Sequence, residues 1–157
     1  MANKFRTSLN ALQSILAATE EFQDWTGADD ATEAKTHIGF VYRDFSASLM
    51  PFAMVTAGDG FGTEMDSMSA GASFHPTPVG EMELRFEAEP GSGTTEVSAN
   101  AFMDHVFACI EEMEELSGSG TYLLIKRMNP VTPVPEIFKV TKGNSGTYYG
   151  WTWRIAP

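Results

Sequence analysis

The sequence predicts an α+β fold in which a mixed or antiparallel sheet is packed by two amphipathic helices. Two observations carry this. From Val79 to Glu89 the chain alternates: Met82, Leu84 and Phe86 fall on one face, and Glu81, Glu83, Arg85 and Glu87 on the other. That period of two marks a strand with one buried and one wet side. From about Thr95 to Leu116 the period changes, and Phe102, Val106, Cys109, Met113 and Leu116 recur at helical spacing, with Met103 and Ile110 widening the stripe. This predicts a helix of about 20 residues, roughly 30 Å long. Strand face and helix stripe are two halves of one core.

The remaining elements follow in order. Phe5, Leu9, Leu12, Leu16 and Thr19 share one face of an N-terminal helix that Phe22 and Trp25 extend and Gly27 stops. The next ten residues, Ala28–His37, are polar and read as a loop or a loose helical turn. Ile38–Tyr42 and Pro51–Thr56 read as short strands, with Pro51 at a strand start, where a missing N–H is tolerated. Residues 57–78 are rich in glycine and serine and have little periodicity, which predicts a long loop. Loops of that length are uncommon in a compact domain, and this one reads either as a disordered hairpin tip or as a functional arm. Phe61, Met65, Met68 and Phe74 are its apolar groups and the candidate contacts of a partner-binding arm.

Past the long helix, Ser117–Gly120 is an exit turn. Thr121–Lys126 is almost continuously apolar and predicts a central strand. Met128–Pro135 holds three prolines and reads as irregular, Pro135–Val140 as an edge strand, and Lys142–Gly146 as a turn. Tyr149, Trp151, Trp153 and Ile155 alternate on a closing strand. No repeat or second unit appears, so residues 1–157 are read as a single domain, long enough to bury roughly 70% of its unfolded surface.

The net charge of −11 argues against a duplex-binding surface, which needs a clustered basic face, and against anionic membranes. Nucleic acid can still pass close by, because an acidic wall repels it. One cysteine permits no internal disulfide and suits an intracellular or particle-borne protein. The N-terminus lacks the apolar run of a signal peptide, and nowhere do 18 apolar residues run together.

Candidate chemistry is sparse. His105 and Cys109 stand four apart on one helix, which is metal-ligand spacing, but no matching pair completes a zinc site, and Cys109 lies on the apolar stripe. His37 and His75 have no acid at a useful spacing. Glu111, Glu112, Glu114 and Glu115 crowd the last turns of the long helix, where the macrodipole disfavours negative charge. They read as a solvated face, or as an interface relieved by basic neighbours. Gly58-Asp-Gly-Phe-Gly62 lacks the Gly-Lys-Ser/Thr ending of a phosphate loop, and Asp59, Glu64 and Asp66 fall short of a calcium loop. No catalytic residue, metal or cofactor is assigned, and the chain reads as a non-enzyme.

Several stretches carry a resemblance to a known family. Met50-Pro-Phe-Ala-Met-Val-Thr-Ala-Gly-Asp59 follows the N-terminal helix, and Gly62-Thr-Glu-Met-Asp66 follows in turn. Then come the alternating Glu81–Phe86 strand, the acidic helix and the aromatic closing strand. Over Pro51–Ile155 this order resembles the tail terminator and head–tail joining proteins of long-tailed bacteriophages. The resemblance implies a structural protein of the virion neck, assembled in the host cytoplasm. It implies a ring of six copies that caps the tail tube, ends tube polymerisation and meets the head connector while DNA passes through. Ring closure needs two different patches per subunit, and the Phe61/Met65/Met68/Phe74 arm and the Glu81/Glu83/Arg85/Glu87 face are the candidates. Alternatives are another tail-completion protein, a small metal-dependent hydrolase using His105 with the helix glutamates, and a peptide-binding adaptor using the long loop.

Overall fold

A computed structural model describes residues 4–40, 51–57, 62–65, 76–79, 81–90, 95–140 and 146–157. The chain begins with helices α1 (Lys4–Ala17) and α2 (Glu20–Thr26). The amphipathic stripe runs through both, but the helix is broken at Thr19, which is extended (φ −72°, ψ 134°). The Thr19 hydroxyl donates to the Leu16 carbonyl at 2.7 Å and accepts from the Phe22 N–H at 3.3 Å, serving the end of one helix and the start of the next. Gly27, at φ 75°, closes α2 in the left-handed conformation that favours glycine. Asp30 caps a short α3 (Ala31–Ala34), and a 3-10 turn (Lys35–His37) leads into β1 (Ile38–Gly39).

Strands β2 (Phe52–Ala57) and β5 (Met82–Ala88) pair antiparallel. Where a long loop is expected, β3 (Gly62–Met65) and β4 (Pro76–Val79) pair antiparallel as a separate ribbon. The last rung of one ladder is Ala57 opposite Met82, and the first of the next is Gly62 opposite Val79, so the β2–β5 hairpin carries on into a second ladder. Residues 57–78 are therefore partly strand. Pro76 and Pro78 stand two apart, which puts both missing N–H groups on one edge of β4.

Helix α4 (Thr95–Ser117) follows, and then β6 (Arg127–Pro130), β7 (Glu136–Val140) and the long β8 (Gly146–Ala156). The order across the sheet is β1-β2-β5-β8, with β6 and β7 both antiparallel to β8 along its far edge. β1 is parallel to β2, so the sheet is mixed. β6 and β7 act as one interrupted edge strand: Pro130 faces Trp153 and Glu136 faces Gly150, so 131–135 bulge out opposite two residues of β8.

The run Thr121–Lys126 is not a strand. It is an extended connector in which Tyr122, Leu123 and Ile125 pack on the core and Leu124 points out. The buried Ser117 hydroxyl takes the Ile125 N–H at 2.8 Å, and pairing with β8 starts only where the Lys126 N–H reaches the Ala156 carbonyl. The centre of the sheet is β5 and β8. Their inner face (Leu84, Phe86, Trp151, Ile155) packs beneath Leu12, Leu16, Phe22, Phe102, Val106 and Met113 of the helices.

Candidate interaction surface on the sheet

The face of the sheet turned away from the helices carries Glu83, Arg85 and Glu87 of β5 opposite Arg154, Thr152 and Gly150 of β8. Their side chains alternate with the core residues, as the sequence predicts, but this face is only partly wet. Phe52, Met54 and Tyr148 are buried on it, and Glu87 is 5% exposed. The expectation that Glu87 is exposed is thus corrected. Phe52 and Met54 are cross-strand neighbours of Glu87 and Arg85, and they roof that part of the strand.

Glu87 tolerates burial because Arg85 bends onto it. The Arg85 Nε donates to Glu87 Oε1 at 2.7 Å, Nη1 donates to Thr152 Oγ1 at 3.2 Å, and Nη2 donates to Glu136 of β7. The guanidinium carbon lies 5.5 Å from the Phe138 ring centroid. Burial acts to lower the Arg85 pKa, but the bonds to Glu87 and Glu136 outweigh it and raise it. The chain makes room with Gly150: a Cβ there would lie 2.7 Å from the guanidinium carbon. β5, β7 and β8 are thereby cross-linked by one ionic network that runs from the buried Glu87 through the half-buried Arg85 to the exposed Glu136.

Glu81 is partly exposed and pairs with Arg127 of β6, with Arg154 of β8 at 3.9 Å. Among the described residues Glu83 forms no ion pair. Met65 sits in β3 opposite Pro76, whereas Phe61, Met68 and Phe74 lie outside the described residues.

A second cluster joins α2 to α4. The Glu112 carboxylate accepts the Glu20 and Glu21 backbone N–H groups at 2.7 and 3.0 Å, capping the N-terminus of α2. Sequence reasoning placed Glu112 in an acidic run at the wrong end of its own helix; no local signal reveals that it serves another. His105 donates to Glu21 at 2.8 Å and stacks on Trp25 with centroids 5.0 Å apart. Burial, reinforced by the charges of Glu21 and Glu112, pushes the Cys109 thiol far up, although its bond to Thr19 acts the other way. A thiol held protonated is a poor nucleophile and metal ligand. His37 holds the Pro51 carbonyl at 3.1 Å, tying the turn before β1 to β2.

Among the described residues no group of three or more His, Cys, Asp or Glu side chains converges as a metal site, and no helix is long and apolar enough to cross a membrane. Cavities among them include ones of about 210, 140 and 120 Å³. No protein-family model matches the chain, and no curated protein sequence matches it.

Proposed function

We propose that this protein is a structural, ring-forming component of the neck of a long phage tail, acting as the terminator that ends tube growth and offers a surface to the head connector. The observation that carries the reading is the order of elements. Helices are followed by a hairpin prolonged into a second ladder over 62–79, then an alternating acidic strand, a long acidic helix and an aromatic closing strand. The resemblance rests on the order strand, glycine-acidic loop, alternating strand, helix and closing strand, to which the 62–79 ladder is an addition. The charge of −11 suits a channel through which DNA slides without sticking. The ionisable groups that could serve chemistry have structural work instead: Glu112 caps α2, Arg85 neutralises Glu87, and Cys109 is sealed in the core.

The test is disruption of the gene in a phage that carries it, with tail lengths read by electron microscopy. Tails of uncontrolled length, detached from filled heads, are expected. Headless tails of normal length would replace the terminator with a joining protein, and intact virions would end the neck reading.

A further inference from the structure

The edge of the sheet formed by β6 and β7 differs from the rest of the surface. Val131, Val134 and Ile137 are 41%, 61% and 52% exposed. They border the same stretch of β8: the Val131 N–H reaches the Thr152 carbonyl, the Trp151 indole N–H reaches the Thr132 carbonyl, and Ile137 faces Tyr149. Phe107 of α4, also exposed, packs edge-on against Trp151 and Trp153 and extends the patch onto the helix. An apolar patch of this kind marks an interaction surface.

Charge identifies the occupant. Residues 1–115 carry 20 acids and five bases, a net −15, whereas residues 116–157 carry five bases against Glu136 alone, a net +4. Lys126, just before β6, and Lys139 of β7 are exposed, and among the described residues neither forms an ion pair, although Glu114 of α4 lines the same cavity as Lys126. The opposite edge of the sheet is β1, which the chain reaches past the exposed acids Asp29, Asp30 and Glu33 and the single exposed base Lys35, with Asp24 on α2, which packs against α3. One sheet thus has a basic apolar edge and, at the other end, an acidic corner. A like-on-like contact would set Lys126 and Lys139 against their own copies. A contact between opposite edges matches the charges, and being heterologous it propagates into a ring or a filament.

We propose that a second copy of this chain docks head to tail on the β6–β7 edge through its acidic α2–α3 corner. The contact is made by side chains, because Pro130, Pro133 and Pro135 remove N–H groups from the middle of this edge and the 131–135 bulge interrupts it, which disfavours strand addition. The proposal deepens the ring reading above, and rests on it for the closure of the contact into a ring.

Sedimentation velocity on the full chain at low and high salt tests it, with two variants whose folding is checked by thermal melting. Lys126→Glu with Lys139→Glu reverses the edge. Asp24→Lys with Asp29→Lys reverses the corner and leaves the Asp30 cap in place. The wild type is expected to self-associate, more strongly at low salt, and each variant alone to associate about tenfold or more weakly. Mixing the two variants is expected to restore assembly, since each then offers the other a complementary edge. A wild type that stays monomeric at low salt and high concentration overturns the proposal, as do folded variants that associate like wild type or a mixture that shows no rescue. So does a monomer that instead binds anionic vesicles. The outcomes separate from those of the tail assay: a monomer alongside uncontrolled tails sinks only the interface, and a rescued mixture alongside intact virions sinks only the neck reading.

Discussion

Gly150 and Arg85 show how one missing side chain decides a network. Because a Cβ on residue 150 would stand 2.7 Å from the Arg85 guanidinium carbon, Gly150→Ala must push the guanidinium off Glu87, Glu136 or Thr152. Overpacking of this kind costs about 1–3 kcal/mol, and the melting temperature should fall by several degrees. The cost should not add to that of Arg85→Met, and additive losses in a double-mutant cycle would show that the two residues are uncoupled. Cys109 supplies a pH signature. Its pKa is raised in the folded protein, so its contribution is complete below the ordinary thiol range near 8.5 and is lost as pH rises beyond it. Wild-type stability should therefore fall above about pH 8.5, at up to roughly 1.4 kcal/mol per pH unit from this one group. Cys109→Ala should flatten that slope, and parallel slopes would exclude the thiol as its source. At this scale the sequence was legible where burial alone mattered: Cys109 reads as a core thiol from the stripe. It was silent on Arg85 and Glu87, because alternation tells which face a side chain takes and not whether that face is wet.

At the scale of elements, helix α2 owes part of its start to a residue 92 positions from its first. Glu112→Gln should destabilise the protein by about 1–2 kcal/mol through the weakened cap and the lost charge at the α2 N-terminus. Glu111→Gln, on the exposed side of the same helix, should stay within about 0.5 kcal/mol. Urea unfolding of the two variants checks the contrast, and equal losses would mean that Glu112 is only another surface acid. The long helix, the alternating strand and the closing aromatic strand were legible because each repeats one period over many residues. Two elements were misread because composition and geometry diverge in them. Thr121–Lys126 is apolar because it lies across the core as a connector, and apolar content cannot distinguish that from a central strand. The 62–65 and 76–79 ribbon carries glycine and two prolines in place of alternating hydrophobics, so its pairing has no periodic signal. The break at Thr19 was equally hidden, since the apolar stripe crosses it and only the hydroxyl marks the corner.

For the whole molecule, the segregation of layers and charges sets the expectations. Helices cover one face of the sheet, a partly buried ionic network stiffens part of the other, and residues 116–157 hold half of the bases but a single acid. The fold class was legible from two periods, and the interaction surface was not, because only the fold brings Phe107 of α4 and the closing strand beside the 131–137 segment. The phage assay and the charge-reversal mixture belong to this scale, and both read assembly. The proline-interrupted edge has a consequence for that assembly. Copies that meet there are hindered by the prolines and the 131–135 bulge from merging their sheets into a continuous hydrogen-bonded stack, so cross-β growth is disfavoured at this boundary. The angle between successive copies is free to be set by how side chains fit. A count of subunits fixed by fit is a count that can end, which is what a cap on a growing tube requires.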